Sequence, residues 1–374
     1  MKSELVGGRN AVIHSLYKSV LKPIFFLQDP ENVHDRMVHI GSVLGRTAVT
    51  RAMLGSLFGY SDPRLEQEIL GIKFKNPIGL AAGFDKNAEL TSTISAVGFG
   101  HIEVGSITGN PCVGNPKPRL WRLKQSQGLV VYFGLKNDGA EVLAARLREK
   151  HFTIPVGTSV AMTNCPNNLN SMNAVKDYEK AFKAFAEIGD YTTVNISCPN
   201  AEGGQPFILP HKLDYLLDIL DKVPTKKPIF IKLSPDLKTE QIDELLDVVN
   251  RHRIQGIICS NLTKRRDNPN IAETDLPKVG GISGKPVQEQ ADKLLSYIYR
   301  KEGRKYVLVG LGGVFTAEDA YRKIRLGASL VQLVTGMIFE GPQVISEINR
   351  GLVSLLKRDG FRNISDAIGV DNKS

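Results

Sequence analysis

The chain has 374 residues with 48 Lys+Arg against 39 Asp+Glu, a formal charge of +9, and is 42% apolar and 23% charged. This balance supports a sizeable folded core, and without a basic run interleaved with aromatics it excludes nucleic acid as a partner, leaving an anionic membrane surface, anionic ligands or a basic proteome background to account for the charge. Cys112, Cys165, Cys198 and Cys259 show neither C-x-x-C nor metal-ligand spacing, which argues for a reducing compartment with no disulfide framework and no metal site; no apolar run approaches the ~18–20 residues of a membrane span, and no signal-peptide pattern opens the chain.

Two helical stretches come first, at 12–27 and 33–57, parted by Gln28-Asp29-Pro30-Glu31, with Pro23 a kink or stop in the first. Asp29 is a natural N-cap, Pro30 occupies the first helical position, and Glu31 favours the helix start. Leu16, Val20, Ile24, Phe25, Phe26 and Leu27 form an apolar surface flanked by Lys18 and Lys22. That composition suits a helix lying in a membrane interface and equally a helix packed on its own domain. Residues 1–62 thus read as a helical extension ahead of a catalytic unit at 63–374.

The runs 66–70 and 72–75 around Gly71 read as a hairpin plugging the bottom of the catalytic unit. Eight β-rich runs then alternate with helical patterns, at 77–81, 101–104, 154–160, 191–196, 229–233, 256–260, 306–310 and 329–333. That alternation predicts an α/β fold, a closed parallel (β/α)8 TIM barrel carrying the small N-terminal helical extension.

Polar and glycine residues recur where these strands end, at the rim where barrel enzymes build their sites. The first strand runs into Ala81-Ala82-Gly83-Phe84-Asp85-Lys86-Asn87, the second into Gly105-Ser106, the sixth into Ser260-Asn261. Gly280-Gly281-Ile282-Ser283-Gly284-Lys285-Pro286, Gly312-Gly313 and Thr335-Gly336 have the composition of a phosphate cradle, although any one of them alone is a turn. Lys232 ends the fifth strand and points into the mouth, where a buried ammonium needs an anionic ligand or a structural ion pair. The fourth strand breaks into Asn195-Ile196-Ser197-Cys198-Pro199-Asn200. Its amides both donate and accept, and its thiol is either a proton-transfer group or an inert buried cysteine.

Taken in order, these segments resemble the dihydroorotate dehydrogenase family over about 29–369. The most specific pieces are Asn76-Pro77-Ile78-Gly79-Leu80 leading to Lys86, Gly114-Asn115-Pro116-Lys117-Pro118-Arg119, the Cys198 segment, and Gly327-Ala328-Ser329-Leu330-Val331-Gln332-Leu333. The front, Leu27-Gln28-Asp29-Pro30-Glu31-Asn32-Val33-His34, resembles the membrane-associated, quinone-linked class 2 branch.

The resemblance implies oxidation of dihydroorotate to orotate in de novo pyrimidine (UMP) biosynthesis, with Cys198 as base, hydride passing to FMN and electrons then to quinone. It implies that Lys86, Asn137, Asn195, Asn200 and Asn261 hold the substrate. Ala81, Ala82, Gly83, Lys86, Gly105, Ser106, Ser159, Asn195, Lys232, Ser260, Ser283, Gly284, Gly312, Gly313, Val334, Thr335 and Gly336 would contact FMN, and His34 and Arg122 would line the quinone tunnel. The extension would rest on the cytoplasmic side of the cell inner membrane, or on the mitochondrial inner membrane in a eukaryote. Nothing in the pattern sets the oligomeric state.

The chain departs from class 2 at Cys198, where that branch has serine, and at Lys136, Ser159, Leu262 and Val334. Cys198, and Asn137 beside Lys136, resemble class 1, and the departures together leave fumarate or another soluble acceptor as the alternative to quinone. A flavin-binding, membrane-docked protein without turnover is the alternative from another class.

Overall fold

The computed structural model describes residues 2–372. Eight short runs, buried on both faces, pair in parallel as such runs do when helices cover the outside. They are Ile78–Leu80, His101–Thr108, Val156–Ala161, Tyr191–Asn195, Ile229–Leu233, Gly256–Cys259, Val307–Leu311 and Leu330–Leu333. Each pairs with the next in sequence, and the eighth returns to the first to close the barrel. The predicted strands all fall on these elements, displaced at most a few residues at their ends.

The expected hairpin forms from Gln67–Ile69 and Ile72–Phe74. Phe74 packs with Tyr191, Phe230, Ile258, Val309 and Leu330, side chains of the barrel's lower layer, so the hairpin closes that end. Burying each such side chain contributes roughly 1.5–3 kcal/mol. With the bottom sealed, the open end is the C-terminal rim.

The extension differs from expectation in two places. The first helix runs from Lys2 through Phe26, with a wider π-helical turn at Tyr17–Leu21. Pro23 lacks an N–H and its ring would clash with the carbonyl of Ser19 in a regular α-helix; widening the preceding turn carries the chain past it. The second stretch splits into Pro30–Leu44 and Ala48–Phe58. Gly45 sits so close to the barrel that a Cβ there would lie 2.4 Å from Thr93 Oγ1, and Thr47 Oγ1 caps the new helix by accepting from Thr50 N at 3.1 Å. Asp29 caps Pro30–Leu44 as expected, accepting from Asn32 N at 2.9 Å.

The apolar front divides between two faces. Towards the barrel, Tyr17 donates to Ile338 O at 2.6 Å, Lys18 pairs with Glu340 at 2.7 Å, and Phe26 meets Phe339 edge-on at 5.3 Å. Away from it, Leu5, Val12, Leu16, Val20, Ile24 and Leu27 are exposed. Among the described residues, no helix is long and apolar enough to cross a membrane.

One element has no counterpart among the predicted ones. Leu120–Leu123, Gly128–Val131 and Gly281–Gly284 form a three-stranded antiparallel sheet. The glycine segment with the composition of a phosphate loop is therefore in part a strand, its backbone paired from Gly281 with Val131 to Gly284 with Gly128.

Candidate active site

The strand ends, the small sheet and the helix Pro30–Leu44 enclose one cavity whose empty volume, open solvent at the mouth included, is about 1240 Å³. Ala81, Ala82, Gly83 and Lys86 enter from the first strand, and Gly105 and Ser106 from the second. Asn195, Cys198 and Asn200 come from the fourth, Lys232 from the fifth, and Ser260 and Asn261 from the sixth. Ser283, Gly284, Gly312, Gly313, Val334, Thr335, Gly336 and, at the extension end, His34 complete the predicted residues that line it.

Lys232 faces Asn195 across the strand register and is almost wholly buried. Burial lowers its pKa, opposed by Glu103 and Cys198. Glu103 Oε2 accepts from Thr193 at 3.1 Å, Gln332 at 3.2 Å and Tyr191 at 3.4 Å, and its Oε1 has no hydrogen-bond partner. The ammonium is thus near a buried carboxylate but not hydrogen-bonded to it, which leaves it free to face a ligand.

The asparagines form a connected set. Asn195 Nδ2 donates to Ser106 Oγ at 2.8 Å, and its Oδ1 accepts from Ser197 N at 3.2 Å and Asn261 Nδ2 at 3.4 Å. Asn200 Nδ2 donates to Val131 O at 2.8 Å, while its Oδ1 is buried without a partner. A lone buried acceptor in a cavity wall costs free energy unless a ligand donor meets it.

Cys198 departs from the simple rationale that a free thiol titrates near neutral pH. Burial pushes its pKa up, opposed by the Asn200 N–H, Lys232, the Ala201 N–H and Lys264. Lys86 is the second buried cation: burial lowers its pKa to about 8, and its Nζ lies 3.9 Å from the Phe133 ring centroid and 3.4 Å from His34 Nε2. His34 Nε2 is in turn 2.8 Å from Phe84 O, and burial followed by Lys86 holds the imidazole pKa down against the pull of Asp35.

Three predicted residues lie off the cavity wall. The Asn137 amide is saturated, donating to Thr108 Oγ1 at 2.7 Å and Leu135 O at 2.8 Å and accepting from Gly139 N at 2.8 Å. Ser159 is fully buried one layer behind, 2.8 Å from Ser106 Oγ. Arg122 donates to Gln28 O at 2.8 Å and covers the Phe26 ring, so it braces the interhelical turn. Conversely, Leu120, Leu129, Phe133 and Lys136 line the cavity although nothing in the strand pattern singles them out. Lys136 carries a signal, as a charge beside Asn137; the leucines and Phe133 carry none, and the hairpin of Leu120–Leu123 with Gly128–Val131 is set against the cavity by Gly281–Gly284, far along the chain.

A glycine-walled mouth on a closed barrel, with two buried ammonium groups and a thiol facing one space, has the make-up of a (β/α)8-barrel enzyme. The dihydroorotate dehydrogenase family model matches residues 64–356. The chain is 38% identical over 356 residues to the dihydroorotate dehydrogenase (quinone) of Haloarcula marismortui, covering 94% of this chain and 98% of that one. It is 37% identical to the protein of the same name from Gloeobacter violaceus, over 95% and 98% of the two chains. The crystal structure of DHODH from Eimeria tenella in complex with ferulenol superposes with a TM-score of 0.82 at 29% identity, covering 92% of this chain and 96% of that one. The chain belongs to the dihydroorotate dehydrogenase family.

That family implies a flavin, and the residues present fit one. Gly83, at φ +104°, has open space where a Cβ would project. At Gly336 a Cβ would lie 2.0 Å from Val314 O, and at Gly284 2.3 Å from Gln127 O, so only glycine lets these backbones pack as they do beside the cavity. Neighbouring Thr335 and Ser283 hydroxyls, 2.8 Å apart, supply neutral donors suited to an anion.

Proposed function

We propose that the protein oxidises dihydroorotate to orotate on bound FMN and passes the electrons to a quinone at a membrane surface. The observation that carries this reading is the convergence of Cys198, Lys232, Lys86 and the Asn195, Asn200 and Asn261 amides on one cavity that runs to His34 under the extension.

Bound FMN supplies the acceptor for the hydride that leaves C6 of dihydroorotate. Lys86 offers its buried ammonium to the substrate carboxylate, and the unpartnered Asn200 Oδ1 accepts from a ring N–H. Cys198 takes the C5 proton as its thiolate, which Lys232 and the loop amides favour against burial. Lys232 places positive charge on the wall where negative charge accumulates as the hydride arrives. Ser260, Ser283, Thr335 and the glycines of the rim hold the cofactor.

At the other end, His34, Phe84, Phe133, Leu120 and Ile338 make a largely apolar passage suited to a quinone ring. The exposed apolar row on the extension, beside Lys18 and Lys22, rests on the bilayer as a peripheral anchor. Cysteine at 198 favours a second reading of the acceptor alone, fumarate in place of quinone.

Purified protein is expected to be yellow and to bleach with dihydroorotate. Cys198→Ala keeps FMN and loses most of that bleaching, whereas Cys198→Ser keeps part of it with a more alkaline optimum. Full-rate bleaching in the alanine variant removes Cys198 from the mechanism. Comparing a soluble quinone, fumarate and NAD⁺ as oxidants decides the acceptor, and a quinone rate no better than background rejects it.

A further inference from the structure

The loop after the fourth barrel strand carries Cys198, and it is tied down at two points by side chains that do not line the cavity. Asn115 Nδ2 donates to Asn200 O at 3.0 Å, and Asn115 N donates to Phe133 O at 3.0 Å. Asn164, from the segment after the third strand, donates through Nδ2 to Asn115 Oδ1 at 2.9 Å and to Gly134 O at 3.3 Å. Its own Oδ1 accepts from Glu202 N at 2.6 Å. A chain of two amides therefore spans from the Phe133–Gly134 backbone to both Asn200 and Glu202.

Asn200 is itself one anchor and Ala201 lies between the two; they follow Cys198 by two and three residues, and their backbone N–H groups favour its thiolate. Beyond them the loop is closed by Gly204 N donating to Ala201 O at 3.0 Å and by Gln205 Nε2 donating to Ser197 O at 3.0 Å. Gly203 and Gly204 are consecutive glycines at φ +75° and +74°, and Gly204 has no neighbour within 4 Å of a would-be Cβ. Such a pair adds backbone freedom to the loop, so the ties on the residues before it matter more.

We propose that Asn164 is a positioning residue that, through Asn115, latches the catalytic loop against the Phe133–Gly134 backbone and so keeps the Asn200 and Ala201 amides on the Cys198 sulfur. The proposal rests on the reading of Cys198 as the base. Hydrogen bonds to a thiolate favour that charged form, so a misaligned pair of N–H groups makes the thiol a harder group to ionise. The other charged and titratable groups facing the sulfur are Lys232 from the fifth strand, Lys264 beyond the sixth, and Tyr178 from the helix Ser171–Ala184. Tyr178 donates its hydroxyl to Asn195 O at 2.8 Å, and burial drives its pKa far above the usual range, so it does not titrate in competition. Both lysines stay in place when Asn164 changes, which leaves the amides as the altered contribution.

The test uses the full-length, flavin-loaded protein and the variant Asn164→Ala, with Asn115→Ala as a second break in the same chain. Alkylation of Cys198 is followed against pH by mass spectrometry of its peptide, alongside the pH profile of flavin reduction at saturating dihydroorotate. Each variant is expected to move the alkylation midpoint alkaline by about one pH unit, and the reduction profile with it. A faster alkylation at every pH with an unmoved midpoint means that the amides only cover the loop, and overturns the proposal; so does an acid shift. The base reading fails separately, if Cys198→Ala bleaches at full rate, because the alkylation midpoint reads the latch whatever the thiol does in turnover.

Discussion

Glu31 joins the extension to the site and offers a sharp test of how. Its side chain is 3% exposed and meets that of Arg119, 6% exposed, through Nε at 3.1 Å to each carboxylate oxygen and Nη2 at 2.7 Å to Oε1. Lys117 at 3.5 Å and Lys136 at 3.8 Å add charges that are 61% and 38% exposed in their side chains, each worth about 0–1 kcal/mol. Replacing one partner of a buried pair leaves the other unpaired and costs about 3–5 kcal/mol. Arg119 keeps Val113 O and Asn115 O, both at 2.9 Å, so Glu31→Gln should fall near the lower end, about 3 kcal/mol.

The loss should be local, because other contacts still dock the first helix. Hydrogen exchange of Pro30–Leu44 reads it directly, with protection falling about 100-fold or more. Quinone-linked turnover should drop while bleaching by dihydroorotate holds within about twofold. Protection changed by less than about threefold would refute the reasoning, since the pair would then contribute no more than a surface bridge. The pH dependence carries a definite sign. Burial pushes the Glu31 carboxyl up, but Arg119, then Lys117 and Lys136, more than offset it and hold the pKa below 4.5. The stabilisation is therefore complete above that ordinary value and is lost as pH falls through the lowered one.

Lys86 predicts the opposite limb of the pH range. Its folded-state pKa of about 8 lies below the ordinary 10.5, so the unfolded chain binds more protons between the two and stability rises with pH across that window. The ammonium that would hold a carboxylate is lost over the same range, so the Kd of free enzyme for dihydroorotate should rise about tenfold per unit above pH 8; a flat titration to about pH 9.5 would exclude Lys86 from carboxylate binding. At Gly336 an added methyl would lie 2.0 Å from Val314 O, a backbone atom with no side-chain freedom to yield. Gly336→Ala should cost about 1–3 kcal/mol and lower the flavin-to-protein ratio on purification, whereas full flavin content with an unchanged Tm would show that the cradle is looser than its geometry.

Much of the fold was legible from local pattern. Buried parallel strands are written as short apolar runs, and the residues that end them are polar because the rim is open, so strand order and most of the cavity wall could be read residue by residue. Asp29 capping Pro30–Leu44 is equally local, its partner three residues away. What local pattern could not carry was pairing over distance. Glu31 looked like a helix-start acid, but its partner Arg119 lies 88 residues on. Asn137 looked like a ligand for the same reason as its neighbours, yet Thr108 and Gly139 use up its hydrogen-bonding groups.

The amino-acid sequence alone determined the barrel, its rim and the candidate thiol, because each depends on residue type and spacing within a single strand and its turn. The tertiary structure alone decided which face of the extension meets the barrel, which amides remain unsatisfied, and how Asn115 and Asn164 reach the Cys198 loop. Those outcomes depend on whether a donor finds an acceptor through space, and chain order does not specify that.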